Sequence, residues 1–313
     1  MLLAEVEHYA GGPDWTWYIL FYFFLAGLSG GSYMIATLLR LRGHPADEPA
    51  ARLGYYAALP PMLVSPLLLA LDLGAPWRFW HMLWNTTPGE QGFNFKYWSP
   101  MSVGAWALVV FSAFAAVSFA DTLVRDRVIR LRFADRAVRL LDGARGKLFN
   151  AVGAVFGLFI AGYTGVLLSV SNQPVWSDTW ALGALFLASS LTGSAALLLL
   201  LTRYRPDARA SAVMLGSSER MYALLELALI VVFAVTLIPS GALGVVFGFP
   251  WILLWLVALA GLVPSLGPLA TARLAVTANG AVTVPVARAA VAVPSLVLLG
   301  VLAVRAAIIF SIQ

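Results

Sequence analysis

Long runs without Asp, Glu, Lys or Arg dominate the chain. Residues 15–39, 53–71, 97–120, 148–177 and 179–202 are each uncharged, and each can cross the hydrocarbon core of a bilayer, which takes about 20 residues of helix. A charge at mid-bilayer is costly, so such runs mark membrane spans. The 148–177 run must include some loop. The uncharged block 227–272 is longer still, but Pro239-Ser240-Gly241 and Gly248-Phe249-Pro250 interrupt it, which gives spans over about 221–239 and 249–270. A last span over about 289–310 carries Arg305 toward its end. The pattern predicts an all-α, polytopic membrane protein with eight transmembrane helices and both termini on one side.

Composition agrees with that solvent. Of 313 residues, 61% are hydrophobic and 11% charged, with a mean hydropathy of +0.85, which excludes a soluble enzyme or a nucleic-acid binder. The surplus of five positive charges is a topology signal. Seventeen of the 20 basic residues fall in the loops after the first, third, fifth and seventh helices, so the positive-inside rule puts those loops in the cytoplasm and both termini on the outer, periplasmic face. The same basic loops meet anionic lipid of the inner membrane. The N-terminus carries Glu5, Glu7 and Asp14 and lacks the basic region of a cleaved signal peptide. Internal repeats are not convincing, and the segment 274–287 is a cytoplasmic loop of no predicted shape.

The absence of cysteine removes disulfides and cysteine-ligated iron–sulfur clusters from this chain. A bis-histidine haem needs facing histidines at membrane depth. His8, His44 and His81 all fall in tails or loops. Redox chemistry here therefore requires an organic carrier beside a partner's metal centre. The segment from about 75 to 98 gathers Trp77, Phe79, Trp80, Trp84, Phe93, Phe95, Tyr97 and Trp98. It reads as an interfacial aromatic loop, and equally as a platform for a hydrophilic partner.

Three proton-capable side chains fall in the outer third: Tyr163 on the fourth helix, about 10 Å below its outer end, Tyr22 at similar depth on the first, and Asp72 at the end of the second. A quinone headgroup needs a hydrogen-bond donor, a proton route and an opening to lipid. Either tyrosine alone suits an aromatic belt, but Tyr163 lies in Gly162-Tyr163-Thr164-Gly165, where small neighbours leave room for a flat ring. Asp72 is a proton acceptor or an ion-pair partner of Arg78, and both roles are compatible. His81 is an interfacial proton carrier or incidental. Gly27, Gly30 and Gly31 form a helix-packing device that can also open the wall beside Tyr22. Glu226, about one and a half turns into the sixth helix, is either a proton-relay site or an interfacial carboxylate paired with Arg220 or Arg273. Arg305 is expected to snorkel outward. A secondary transporter or proton channel using Glu226 and Arg305 is the alternative reading, although no pair of broken helices supports it.

Gly27-Leu28-Ser29-Gly30-Gly31, the run from Leu71 to Leu83 (LDLGAPWRFWHML), Ser99 to Trp106 (SPMSVGAW), Gly162 to Ser169 (GYTGVLLS) and Glu226-Leu227 together resemble the NrfD-like family of membrane subunits, which includes the polysulfide reductase membrane subunit. The resemblance implies two four-helix bundles, 1–175 and 176–313, with no haem and with a menaquinone or ubiquinone site near the outer face of the first. It also implies an iron–sulfur partner on that face, connected to a large catalytic subunit that is often a molybdopterin enzyme. The family's quinone-binding tyrosine corresponds to Tyr163. Where the polysulfide reductase member places a headgroup-binding histidine, this chain has Tyr22, and a phenol also donates a hydrogen bond. On this basis the expected quinone contacts are Tyr163, Tyr22, Asp72, Arg78, Gly30 and Thr164, with Asp72, His81 and Glu226 in proton transfer. Tyr163 and Asp72 are expected to border one lipid-accessible cavity.

Overall fold

The computed structural model describes residues 15–129, 141–266 and 289–313, together with a two-residue strand pair at 275–276 and 282–283. His8 and most of the 274–287 segment therefore lie outside the described residues. The helices are α1 (Trp17–Arg42), α2 (Glu48–Asp72), α3 (Pro100–Arg125), α4 (Gly143–Ser169), α5 (Leu182–Thr202), α6 (Ala212–Thr236), a five-residue α7 (Leu243–Phe247), α8 (Ile252–Leu266) and α9 (Ala289–Phe310). Six of them, α1 to α5 and α9, are long and apolar enough to cross a membrane. The other two candidates differ for physical reasons. α6 begins well before residue 221 and takes in Glu219, Arg220 and Glu226, while α8 is apolar but has only 15 described residues.

Helix ends follow local chemistry. Thr16 caps α1 by accepting from the Tyr18 N–H at 3.2 Å, and Gly43, at φ 74°, closes it with a bond to the Arg40 carbonyl. Ser99 caps α3 ahead of Pro100 at its first position. The aromatic segment forms a 3-10 turn at Pro76–Met82 and a small hairpin pairing Trp84 with Phe93. The Asn94 carbonyl accepts from Trp106 Nε1 at 3.1 Å, and Ser102 Oγ accepts from the Lys96 N–H at 3.0 Å. The loop is thereby fixed to the start of α3.

α1 is the central element, packing on α2, α4 and α5. Glycines permit the approach: a Cβ at Gly30 would collide with the Gly157 carbonyl of α4, and one at Gly31 with Ser194 of α5. α5 in turn packs on α6 and α9, and α9 on α8. Such close backbone crossings maximise dispersion contact where lipid gives helices no hydrophobic reason to associate. Both ends of the described chain meet at one face, where Trp15 stacks on Trp176 at 4.8 Å and Trp176 Nε1 donates to the Ile308 carbonyl at 2.8 Å.

The opposite, basic-loop face is held by ion pairs. Arg40 joins Glu48 at 2.9 Å and Asp121 at 3.2 Å; Asp126 accepts from Arg52 and Arg205, both at 2.8 Å; Arg125 joins Asp121 and Asp142. Burial alone would raise Asp126, but hydrogen bonds from Arg52, Arg205 and Tyr56 hold its carboxyl below the ordinary carboxylate range. Asp126 in turn raises Arg205 above the usual guanidinium value.

Candidate functional site

Tyr163 sits six residues from the end of α4. Its ring stacks on Phe159 at 5.3 Å, one turn back, and lies directly against Gly104 of α3, where any Cβ would overlap the phenol. The hydroxyl donates to the Pro100 carbonyl at 2.6 Å. Tyr22 enters from α1 and is 2% exposed. Its hydroxyl has no hydrogen-bond partner among the described residues, and the two phenols are close enough to interact electrostatically. The structure thus brings Tyr22 and Tyr163 together at similar depth near the aromatic-loop face.

The other residues of the motif behave differently. Gly162 and Gly165 do not make room for a ring, because they let α4 meet Gly183 and Leu182 of α5. Thr164 is fully buried, with an Oγ1 that has no hydrogen-bond partner among the described residues. Gly30 lies eight residues below Tyr22 on α1 and is occupied by its crossing with Gly157, so its role is helix packing and not ligand contact.

Asp72, at the end of α2, accepts from Thr16 Oγ1 at 2.8 Å. The expected pair with Arg78 does not form: Arg78 is exposed in the 3-10 turn and makes no ion pair among the described residues. The hydroxyl that caps α1 supplies the compensation that a carboxylate at a helix C-terminus requires. His81 shares its Nδ1 with Thr86 Oγ1 at 3.1 Å and stacks on Trp80. Beneath this turn is an apolar cavity of about 260 Å³ between α2 and α3, lined by Ala70, Leu73, Phe79, Ala105, Leu108 and Val109 among others. Neither Tyr163 nor Asp72 lines it, which corrects the expectation of one shared cavity. Asp72 lies between the lining residues Ala70 and Leu73, and Tyr163 is behind α3, where Gly104 faces the phenol and Ala105 the cavity.

Two charged groups lie deeper than their sequence positions implied. Glu226 is 1% exposed and, among the described residues, neither oxygen has a partner in hydrogen-bond geometry. No pair with Arg220 forms, and Arg273 lies outside the described residues. Arg305 does not snorkel: it is fully buried and donates to Ser189 Oγ, Ser190 Oγ and the Phe186 and Val301 carbonyls at 2.8–3.3 Å. The absent Cβ of Gly27 admits it.

Sequence reasoning also missed a buried polar group in the basic-face half of α1 to α4. Tyr33 Oη bonds Ser118 Oγ at 2.8 Å, Ser118 reaches Asn150, Thr37 bonds the Tyr55 hydroxyl at 3.2 Å, and Arg40 lies 4.6 Å over the Tyr55 ring. Asn150 was its one readable signal, as an amide on an otherwise apolar helix.

Among the described residues no group of three or more His, Cys, Asp or Glu is placed to hold a metal ion. Together, the apolar helices, the ion-paired face and the aromatic face define a multi-pass helical membrane protein. The family profile described as "Polysulphide reductase, NrfD" matches residues 6–311, and the chain belongs to that family. It is similar to protein NrfD of Escherichia coli, with 26% identity over 59% of this chain and 58% of that protein, and to the C component of the polysulfide reductase of Wolinella succinogenes, with 26% identity over 57% and 55%. The C component of the selenate reductase of Mesobacillus selenatarsenatis is 27% identical over 44% of this chain and 28% of its own length. The chain thus spans little more than half the length of the first two relatives and less of the third.

Proposed function

We propose that this chain is the quinone-reactive membrane subunit of a respiratory oxidoreductase complex, with eight spans and both termini on the periplasmic side of the inner membrane. The observation that carries the reading is the meeting of two buried phenols, Tyr22 and Tyr163, one helix wall away from a lipid-side apolar cavity of about 260 Å³. The Tyr22 hydroxyl, with no hydrogen-bond partner among the described residues, fits a quinone carbonyl as donor, and the cavity has the apolar lining that a ring or isoprenoid tail requires. A bound menaquinone or ubiquinone supplies two-electron, two-proton chemistry.

The chain's own groups do the rest. Tyr22 donates a hydrogen bond, Tyr163 rotates only its hydroxyl hydrogen away from the Pro100 carbonyl to donate a second while its ring stays in place, and the Asp72 carboxylate exchanges protons at the edge, with Thr16 fixing its orientation. His81 lies on the aqueous side of that edge as the proton carrier toward water, and the permanently charged Arg78 lies beside it as a headgroup contact. The aromatic loop, with Trp77, Phe93, Tyr97 and Trp98 at 88, 77, 77 and 67% exposure, is too apolar to remain in water. It receives an iron–sulfur subunit that passes electrons to or from a large catalytic subunit; the polysulfide and selenate reductase relatives are likewise named as components of multi-subunit reductases.

The test is Tyr163→Phe in the native membrane. Assembly persists, and quinol-linked turnover falls at least about tenfold, the equivalent of one lost hydrogen bond of about 1.4 kcal/mol. Wild-type quinol kinetics in that variant would remove Tyr163 from the site.

A further inference from the structure

The interior of α5, α6 and α9 holds an acid and a base in an unusual relation. Glu226 and Arg305 are both buried, and they do not form an ion pair. The two terminal nitrogens of the guanidinium already donate to neutral acceptors, two serine hydroxyls and two backbone carbonyls, with the Phe186 ring at 5.1 Å, while its Nε has no partner among the described residues. Glu226 faces the Ser189 and Thr192 hydroxyls of α5, near enough to lean toward its carboxyl, and Arg305 of α9, but among the described residues neither of its oxygens has a partner in full hydrogen-bond geometry. An ionised carboxylate without hydrogen bonds in such a setting is severely destabilised, whereas a neutral carboxylic acid is not. The arrangement is built for a group that carries a proton.

A route to that group lies along the buried side of α6. Glu219 and Tyr222 share its buried face with Glu226, spaced three and four residues apart, so they stack one above another from the basic-loop end inward. Glu219 is itself buried and accepts from Ser265 Oγ of α8 at 2.7 Å. From Glu219 to Glu226 the rise is about 10 Å, with Tyr222 at the intermediate position on the helix.

We infer that Glu226 is a proton-binding site inside the membrane, loaded from the basic-loop face through Glu219 and Tyr222. In its loaded form the carboxyl is neutral and Arg305 carries the local charge. On release the proton leaves along the same hydroxyl and carboxyl groups, and the pair becomes net neutral. Arg305 remains protonated in both forms. The guanidinium abuts Gly27 of α1, five residues from Tyr22. Loading Glu226 therefore leaves the Arg305 charge uncompensated beside Gly27, about 7.5 Å along α1 from Tyr22 of the candidate quinone site. That last link rests on the quinone reading, while the proton site does not.

Infrared spectroscopy of the purified full chain in nanodiscs tests it without quinone or partner. The expected result at neutral pH is a protonated-carboxyl C=O band that Glu226→Gln abolishes and Glu226→Asp shifts, with several-fold slower exchange into D2O in Glu219→Gln and Tyr222→Phe. If Glu226→Gln removes no such band, the carboxyl is ionised and the proton site is refuted. A band whose exchange is unchanged in both route variants overturns the loading path. Bound-quinone content, measured on the same samples, reports separately on the quinone reading.

Discussion

Replacing Gly104 by alanine places a methyl group where the Tyr163 phenol now lies, overlapping both the hydroxyl and the ring carbons that carry it. The ring cannot turn freely, because it stacks on Phe159 and is 6% exposed. It must therefore retreat by about 1 Å to regain van der Waals contact, which breaks or badly lengthens the 2.6 Å bond to the Pro100 carbonyl. Losing that bond costs about 1 kcal/mol, and overpacking adds about 1–3 kcal/mol, so about 2–4 kcal/mol in all. The purified variant should melt several degrees below wild type. In native membranes its quinol turnover should fall with Tyr163→Phe, although the phenol is still present. A melting temperature and turnover equal to wild type would show that the ring is not locked between α3 and α4, and the geometry assigned to the site would fail.

Two further outcomes follow from packing and charge. Gly30→Ala sets a Cβ against the backbone carbonyl of Gly157, which no rotamer change relieves. It should lower the thermal midpoint by the equivalent of about 1–3 kcal/mol, whereas Gly244→Ala, with open space around it, should be near neutral in the same assay. Asp126 is held below its unfolded pKa, so its stabilisation is fully present above about pH 4, the ordinary carboxylate value, and is lost as pH falls through the lower folded value. The midpoint difference between wild type and Asp126→Asn should accordingly be constant from neutral pH down to about 5 and shrink below about 4; a difference that grows on acidification would reverse the assignment.

Much of the fold was legible because lipid imposes one rule along the whole chain. Uncharged runs located five of the six spanning helices, since a charge in hydrocarbon is expensive wherever it falls, and the apolar run around Arg305 located the sixth. α6 escaped the rule: Glu219 and Glu226 are sheltered by α5 and α8, so a charged segment is helical and buried, and its start was placed nine residues late. The same shelter explains Arg305, whose four acceptors come mainly from α5, more than 100 residues away in sequence. At the candidate site the two phenols were readable from depth alone. The partners of Asp72 and Tyr163 were not, because a cap hydroxyl and a proline carbonyl carry no mark in the sequence. The glycines of the Tyr163 motif were misread for a related reason: small residues signal close approach without saying whether a ligand or another helix approaches.

The most direct measurement of the central claim is photo-crosslinking of an azidoquinone to the protein in native membranes, with adducts mapped by mass spectrometry. The account predicts labelling confined to the aromatic-loop ends of α1 to α4, around Tyr22, Ala70, Ala105 and Tyr163, and competed by unlabelled quinone. Labelling confined to other helices, or unaffected by competition, would contradict it.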